Sequence, residues 1–268
     1  MPALYAHKYF GETVLNALPQ PLKNDIALHK EAFVLGTQGP DILFNHKPFS
    51  KNAIKQQGMD MHLRSAKDFF EKSAQKVAQA GNQSATSAYV AGFICHFMLD
   101  NACHPHIYLL ESKGVSHGRI ESEFDKYLKR KNGEKVHRNS GKAMHKKNGT
   151  SQAAAQILEV DEKSIKRAIK TMRIVNGLFS FPSKLFHKFA HFVLRRMHAE
   201  NKFGGMFLYF DDLPECDELN PILTDNLQNA VAPTAELIEN YFAKIGENAF
   251  TGELYNAFDK DYKGESLL

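Results

Sequence analysis

The sequence has no tryptophan and only three cysteines, Cys95, Cys103 and Cys216, among its 268 residues. Three thiols cannot all pair within one chain and none stands in a Cys-x-x-Cys spacing, which excludes a disulfide framework and suits a reducing compartment. No apolar run approaches the ~18 residues a membrane span requires, and the start, MPALYAHKYFGE, shows no basic segment followed by an apolar one. The expectation is a soluble, cytoplasmic protein. Charge of one sign is also scarce: a formal net charge of +4 and a sequence pI near 8.8 exclude nucleic-acid binding driven by overall charge and leave only local clusters to consider. Glycine-rich phosphate loops, a nucleophile elbow and internal repeats are missing as well.

What is present is ample apolar material, 43% hydrophobic residues with 20 Phe, and a concentration of imidazoles and carboxylates in HFMLDNACHPHIYLLESKGVSHGRIE, from His96 to Glu121. His96 and Asp100 stand four apart at the end of the apolar run AYVAGFICHFML, so on a helix they leave the same face; His117 and Glu121 repeat the spacing. These are the side chains that hold zinc where a coordination position stays open. The run around His96 is apolar nearly all round, which predicts a buried helix. Burying a lone carboxylate costs several kcal/mol, so Asp100 needs a cation beside it. Cys95 reads as a small core residue. Pro105 disfavours helix at His104 and predicts that the helix ends there.

Along the rest of the chain the pattern is helical. Residues 13–44 predict two short helices about the Pro19 to Pro21 turn and then a loop at Gly36 to Asp41. His7 falls at the first helix's opening turn, where packing is the simple reading, and Asp41 could serve as a helix N-cap. Met61, Ala66, Phe69, Phe70, Ala74 and Val77 predict a helix over 60–80 with His62 in its first turn. After His117, an apolar stripe of Ile120, Phe124 and Leu128 runs beside a polar one of His117, Glu121 and Asp125, which a solvated face would equally explain. Residues 126–150 hold nine Lys or Arg up to position 147 against the single acid Glu134, and predict an exposed basic loop or insertion with His137 and His145 outside any ligand set. Helices follow in SIKRAIKTMRIVNGLF and SKLFHKFAHFVLRRMH. The apolar stripe of the latter, Leu185, Phe186, Phe189, Val193 and Met197, reads as core first and as an interfacial helix second. FLYFDDLPECDELNP reads as an irregular connection, and ELIENYFAKI as the final helix before a polar tail.

Taken together, His7, Asp41, His62, His96 with Asp100, His104, and His117 with Glu121 resemble the zinc-dependent phospholipase C family over roughly the first half of the chain. The resemblance implies one large all-α domain over 1–268, with the basic stretch as an insertion, and an architecture similar to single-strand-specific zinc nucleases. It implies up to three zinc ions: one held by Asp41, His62, His96 and Asp100, a second by His7 and a bridging Asp100, a third by His104, His117 and Glu121. Asp41 and Asp100 are the implied catalytic carboxylates, with a metal-activated water as nucleophile and no nucleophilic side chain. The ligand after Asp100 is His104, in the Cys-His-Pro context of intracellular-looking relatives, or His106, at the spacing of secreted ones; His104 is preferred. Secreted members begin with a tryptophan that binds metal through its terminal amine, a role left here to the amine of Pro2 if Met1 is removed. Ile42 follows Asp41 where secreted members place an aromatic that contacts the lipid headgroup. The implied function is hydrolysis of a phosphoester, with phospholipid leading and a peripheral membrane contact open. A single-strand nuclease and a non-catalytic metal-binding protein are the alternatives, nucleic acid ranking behind lipid.

Overall fold

The computed structural model describes residues 4–146, 149–245 and 253–264; the amine assigned to Pro2 falls outside the described residues. Its helices are α1 (Leu4–Ala17), α2 (Gln20–Ala27), α3 (Lys30–Gly36), α4 (Ala53–His62), α5 (Lys67–Ala80), α6 (Ala85–Glu111), α7 (His117–Lys131), α8 (Thr150–Leu158), α9 (Glu162–Phe179), α10 (Lys184–Arg196), α11 (Glu200–Phe203) and α12 (Leu219–Ala243). Tight 3-10 segments at Gly39–Asn45 and Glu253–Asp259 carry or support the site. No strand occurs among the described residues, and the protein is all-α, as the sequence predicts.

Helix α6 is the axis of the core. Ser84 caps it, its hydroxyl accepting from the Ser87 amide at 3.1 Å, and α1, α2, α3, α5, α7, α8 and α12 pack around it. Burial on every side is what an all-round apolar sequence requires. The helix does not stop before Pro105, as predicted, but runs to Glu111. A proline inside a helix forfeits a backbone bond and costs about 3 kcal/mol. Here the C-terminal segment offsets that cost: the Asn101 amide donates to Asp261 O at 3.0 Å, and the His104 ring pairs with Tyr262 O at 2.6 Å, fixing the helix just ahead of the proline.

Where α3 crosses α6 the two backbones nearly touch. A Cβ on Gly36 would run into the carbonyl of Tyr89, and one on Gly92 into that of Phe33. Only glycine fits on either side, and the close crossing brings the end of α3 over His96.

Three further expectations need correction. The predicted helix over 60–80 is two helices, because Ser65 interrupts it: its hydroxyl donates to Phe258 O at 2.9 Å and accepts from the Lys67 amide at 3.2 Å. His62 therefore closes α4 rather than opening α5. The final helix begins at Leu219 rather than near Glu236, and the tail beyond it folds back to bury Tyr255, Phe258 and Tyr262. Finally, the α10 stripe is not core. Leu185, Phe189 and Met197 are 78%, 62% and 54% exposed, because α10 lies at the periphery beside α11; Leu194, with Phe186 and Ala190 beside it, packs into a small satellite cluster with Phe203 and Phe207.

The basic stretch is likewise not a free loop throughout. Residues up to Lys131 continue α7, and Lys126 and Lys129 are buried; Lys126 Nζ donates to Glu123 at 2.8 Å, Lys129 Nζ to the carbonyls of Val136 and Arg138 at 3.0 and 2.9 Å.

The α3–α6 contact is open to test. Gly92→Ala overpacks it and is expected to cost about 1–3 kcal/mol, a fall in Tm of roughly 2–4 °C per kcal/mol for a chain of this size. Thermal unfolding checks it, and an unchanged Tm would contradict so close a crossing.

Candidate metal centre

The eight residues singled out in the sequence come together from five segments. His7 lies in the opening turn of α1, Asp41 in the 3-10 segment Gly39–Asn45, and His62 at the end of α4. His96, Asp100 and His104 form a four-residue ladder on α6, and His117 and Glu121 occupy the first turns of α7. Asp41 sits inside its 3-10 segment, with Gln38 at the cap position, and faces His62.

Asp100 is the hub. Its Oδ1 lies 3.2 Å from His7 Nε2 and 3.7 Å from His104 Nε2, and its Oδ2 lies 3.2 Å from His96 Nε2. Asp41 Oδ1 stands 3.1 Å from His62 Nε2. Glu121 Oε1 is 3.2 Å from His117 Nε2 and 3.9 Å from His104 Nε2, so His104 links the two ends of the cluster. Donor atoms within 4.8 Å of one another form three groups able to hold a cation: His7, His96 and Asp100; Asp41, His62 and His96; and His104, His117 and Glu121. His106 belongs to none of them.

The imidazoles are oriented from behind. Nδ1 of His96 meets Thr37 O at 3.2 Å, that of His62 meets Gly58 O at 2.6 Å, and that of His104 meets Tyr262 O at 2.6 Å. A carbonyl oxygen only accepts, so each of these nitrogens carries the proton and, in a neutral ring, Nε2 presents a lone pair. His117 is turned the same way by Glu111, whose carboxylate lies 3.1 Å from Nδ1. Each lone pair then points at a carboxylate, an arrangement that repels unless a proton or a metal cation stands between them. His96 Nε2 is buried and 3.2 Å from Asp100, yet it makes no hydrogen bond. Backbone-anchored imidazoles facing carboxylates are how proteins prepare zinc ligands, so the residues present fit the metal.

Without a metal, protons must fill that role. Burial alone would lower the histidines, but Asp100 and Glu121 raise His104 to about 9, and His62 and His117 are raised by Asp41 and Glu121 respectively. Burial likewise works to raise Asp100 and Glu121, yet His104, His96 and His7 hold Asp100, and neighbouring positive charge with His117 and His104 holds Glu121, well below the carboxylate range. His7 goes the other way, lowered by burial and by His96, with which it stacks at 4.3 Å.

Several contributors escaped the sequence reading. Gly39, at φ 48°, lets the Asp41 segment pass over His96, where a Cβ would strike the ring. Tyr262 supplies the carbonyl behind His104 and lays its ring against His62 at 5.0 Å; nothing in a polar tail signals it. Asp125, noted only as part of a polar stripe, is buried and accepts from the amides of Tyr5 and Ala6 at 3.0 and 2.8 Å. It thereby caps α1 from α7 and sets the turn that presents His7.

A buried His and carboxylate cluster on facing helices, at the foot of a cleft, places the protein among helical proteins whose core can hold metal ions. The family model for zinc-dependent phospholipase C matches residues 6–172, well over half of the chain, and the protein belongs to that family. Comparison with curated proteins and with solved structures returns no match.

Two outcomes are expected. A histidine whose folded pKa is raised stabilises the protein below its unfolded value near 6.5 and loses that stabilisation as pH rises through about 9. The metal-free protein should therefore lose Tm between pH 6.5 and 9, less so in His104→Gln, and zinc should restore it; melting with chelator and with zinc across that range is the measurement. Asp125→Ala leaves two amides of α1 unpaired, which costs about 1–3 kcal/mol, and should weaken zinc binding in a competition titration although Asp125 is not itself in the cluster.

Proposed function

We propose that the protein is a zinc-dependent phosphodiesterase of the phospholipase C type, with Asp41, His62, His96, Asp100, His7, His104, His117 and Glu121 holding up to three ions. The observation that carries the reading is the set of imidazoles anchored through Nδ1 and aimed at buried carboxylates. Zinc in such a site polarises a phosphoryl oxygen and lowers the pKa of water toward ~7. The chain's own residues do the rest. Asp41 is held below its ordinary pKa, burial being outweighed by neighbouring positive charge and the His62 hydrogen bond, so it stays ionised and serves to hold and orient rather than to store a proton. Asp100 does the same at the centre of the ladder.

The cleft above the cluster supports a lipid over other phosphoesters. It encloses about 460 Å³ and is walled by Phe44, Met59, Leu63, Tyr108, Phe203 and Met206. Lys55, Lys202 and Lys263 line it as cations for a phosphate. A nuclease would need a basic track, and Lys126 and Lys129 of the basic stretch are buried in structural bonds. No helix among the described residues is long and apolar enough to cross a membrane, so contact with lipid would be peripheral.

Metal analysis with a phosphodiester assay tests the proposal. Bound zinc should accompany turnover. Asp100→Ala should lose at least the ~10–100-fold that outer partners of metal ligands command. Zinc-loaded protein that turns over single-stranded nucleic acid but no phospholipid would favour the nuclease. Tight zinc without hydrolysis of either would leave a metal-binding protein.

A further inference from the structure

Where the end of α4, the start of α5 and the end of α8 meet lies a second cavity, of about 530 Å³ against 460 Å³ for the cleft. Volumes of that order hold small molecules. Met61, Phe69, Ile157 and Leu158 form its apolar wall, and Gln57 closes one edge by donating from its side-chain amide to Leu158 O at 2.6 Å. The start of α5 opens into it. Ala66 stands at the cap position with no side-chain bond to give, and Ser65 takes the Lys67 amide at 3.2 Å, so the amides of Asp68 and Phe69 in the first turn have no side-chain partner. Arg64 and Lys72 flank that turn, both exposed and neither in an ion pair within 4 Å; Asp68, the acid between them in sequence, pairs with neither. Lys76 and Glu159 occupy each other at 2.8 Å.

A helix start flanked by cations is commonplace, but a buried phenol without a partner is not. Tyr262 is 1% exposed, lines the same cavity and has a hydroxyl that makes no hydrogen bond. The rest of the residue belongs to the metal centre: its carbonyl meets the His104 ring at 2.6 Å, and its own ring lies 5.0 Å from His62 and 6.0 Å from His96. We infer that this cavity binds an organic phosphate and that the bound molecule raises the cluster's affinity for metal. The oxyanion sits at the start of α5 between Arg64 and Lys72, the apolar body lies on Phe69 and Leu158, and an acceptor at the far end takes the Tyr262 hydroxyl proton. Helix starts hold oxyanions through free amides and the dipole, and two cations add to that. With its hydroxyl bonded as well, Tyr262 is held at both ends, and its carbonyl stays behind His104 where a metal-ready ring needs it. The cavity stands apart from the phosphodiesterase reading; its effect on the cluster rests on the zinc part of that reading.

The probes are 4-acetylphenylphosphonate and phenylphosphonate, which share an oxyanion and a ring, resist hydrolysis and differ in one carbonyl. Titrated by calorimetry into the zinc-loaded full chain, the acetyl compound should fill two sites, one on the ions and one in the cavity. Arg64→Ala/Lys72→Ala should weaken the cavity site at least about tenfold and leave the zinc content unchanged. Phenylphosphonate should bind the cavity several times more weakly, and Tyr262→Phe should erase that difference. In a zinc competition titration, saturating acetyl compound should tighten zinc roughly fivefold or more, and should not in Arg64→Ala/Lys72→Ala; by reciprocity, zinc tightens the cavity site by the same factor. A single site lost on chelation, or a tightening that survives in Arg64→Ala/Lys72→Ala, places the phosphonate on the ions alone and overturns the inference. Equal affinities of the two probes for the wild-type cavity overturn the part given to Tyr262. Cavity binding by a chain that takes up no zinc leaves the site standing, while the zinc reading falls and the coupling with it.

Discussion

The structure depends on keeping the Asp100 carboxylate ionised inside a helical core. Desolvation of that group is costly, and three imidazoles, from His7, His96 and His104, stand within 3.7 Å of its oxygens to offset it. Two of them share α6 with it at four-residue intervals, so one buried helix carries both the charge and most of its compensation. Much of the surrounding fold can be read as a consequence. The α3–α6 crossing without Cβ atoms delivers the Thr37 carbonyl to His96, the positive φ at Gly39 lets Asp41 pass above the same ring, and the returning C-terminal segment delivers Tyr262 O to His104.

The same constraint explains why the protein has two ways of settling the cluster. With protons, the cluster is a set of imidazolium and carboxylate pairs, stable only while His62, His104 and His117 remain charged. With zinc, the lone pairs at Nε2 have a partner at any pH that leaves the rings neutral. The carbonyls behind the rings serve either state: they accept from Nδ1–H and so support the charged ring, and in a neutral ring they leave Nε2 as the atom that could coordinate a cation.

How much of this was legible in the sequence follows from the range of each interaction. The four-residue spacings of His96 with Asp100 and His117 with Glu121 are local to a helix, and both pairs lie where those spacings put them. All-α architecture was legible for the same reason, since helical periodicity needs no knowledge of the partner. The failures were nonlocal. Pro105 stays in α6, and Ser65 splits the expected 60–80 helix, because residues 258–262 supply bonds that no nearby residue announces. Asp125 looked like part of a solvated stripe because its partners, the amides of Tyr5 and Ala6, lie some 120 positions away. The α10 stripe misled in the opposite sense: its periodicity promised a buried face, but the helix turns His187, His191 and Leu194 inward and leaves Leu185, Phe189 and Met197 of the stripe exposed.

That uncovered face bears on how the two halves of the chain divide the work. Residues up to α7 build the cluster and, through Phe44, Met59, Leu63 and Tyr108, much of the wall of the cleft. Phe203, Met206 and Lys202 of the cleft wall and the apolar face of α9 and α10 come after the stretch that the family model matches. A metal centre is held by close, directional contacts and tolerates little change, whereas an apolar groove works by area and shape and tolerates substitution of one large side chain for another. The cluster and the apolar face are thus carried by segments under different physical constraints, and a substitution on the exposed face of α10 leaves the contacts of the cluster in place.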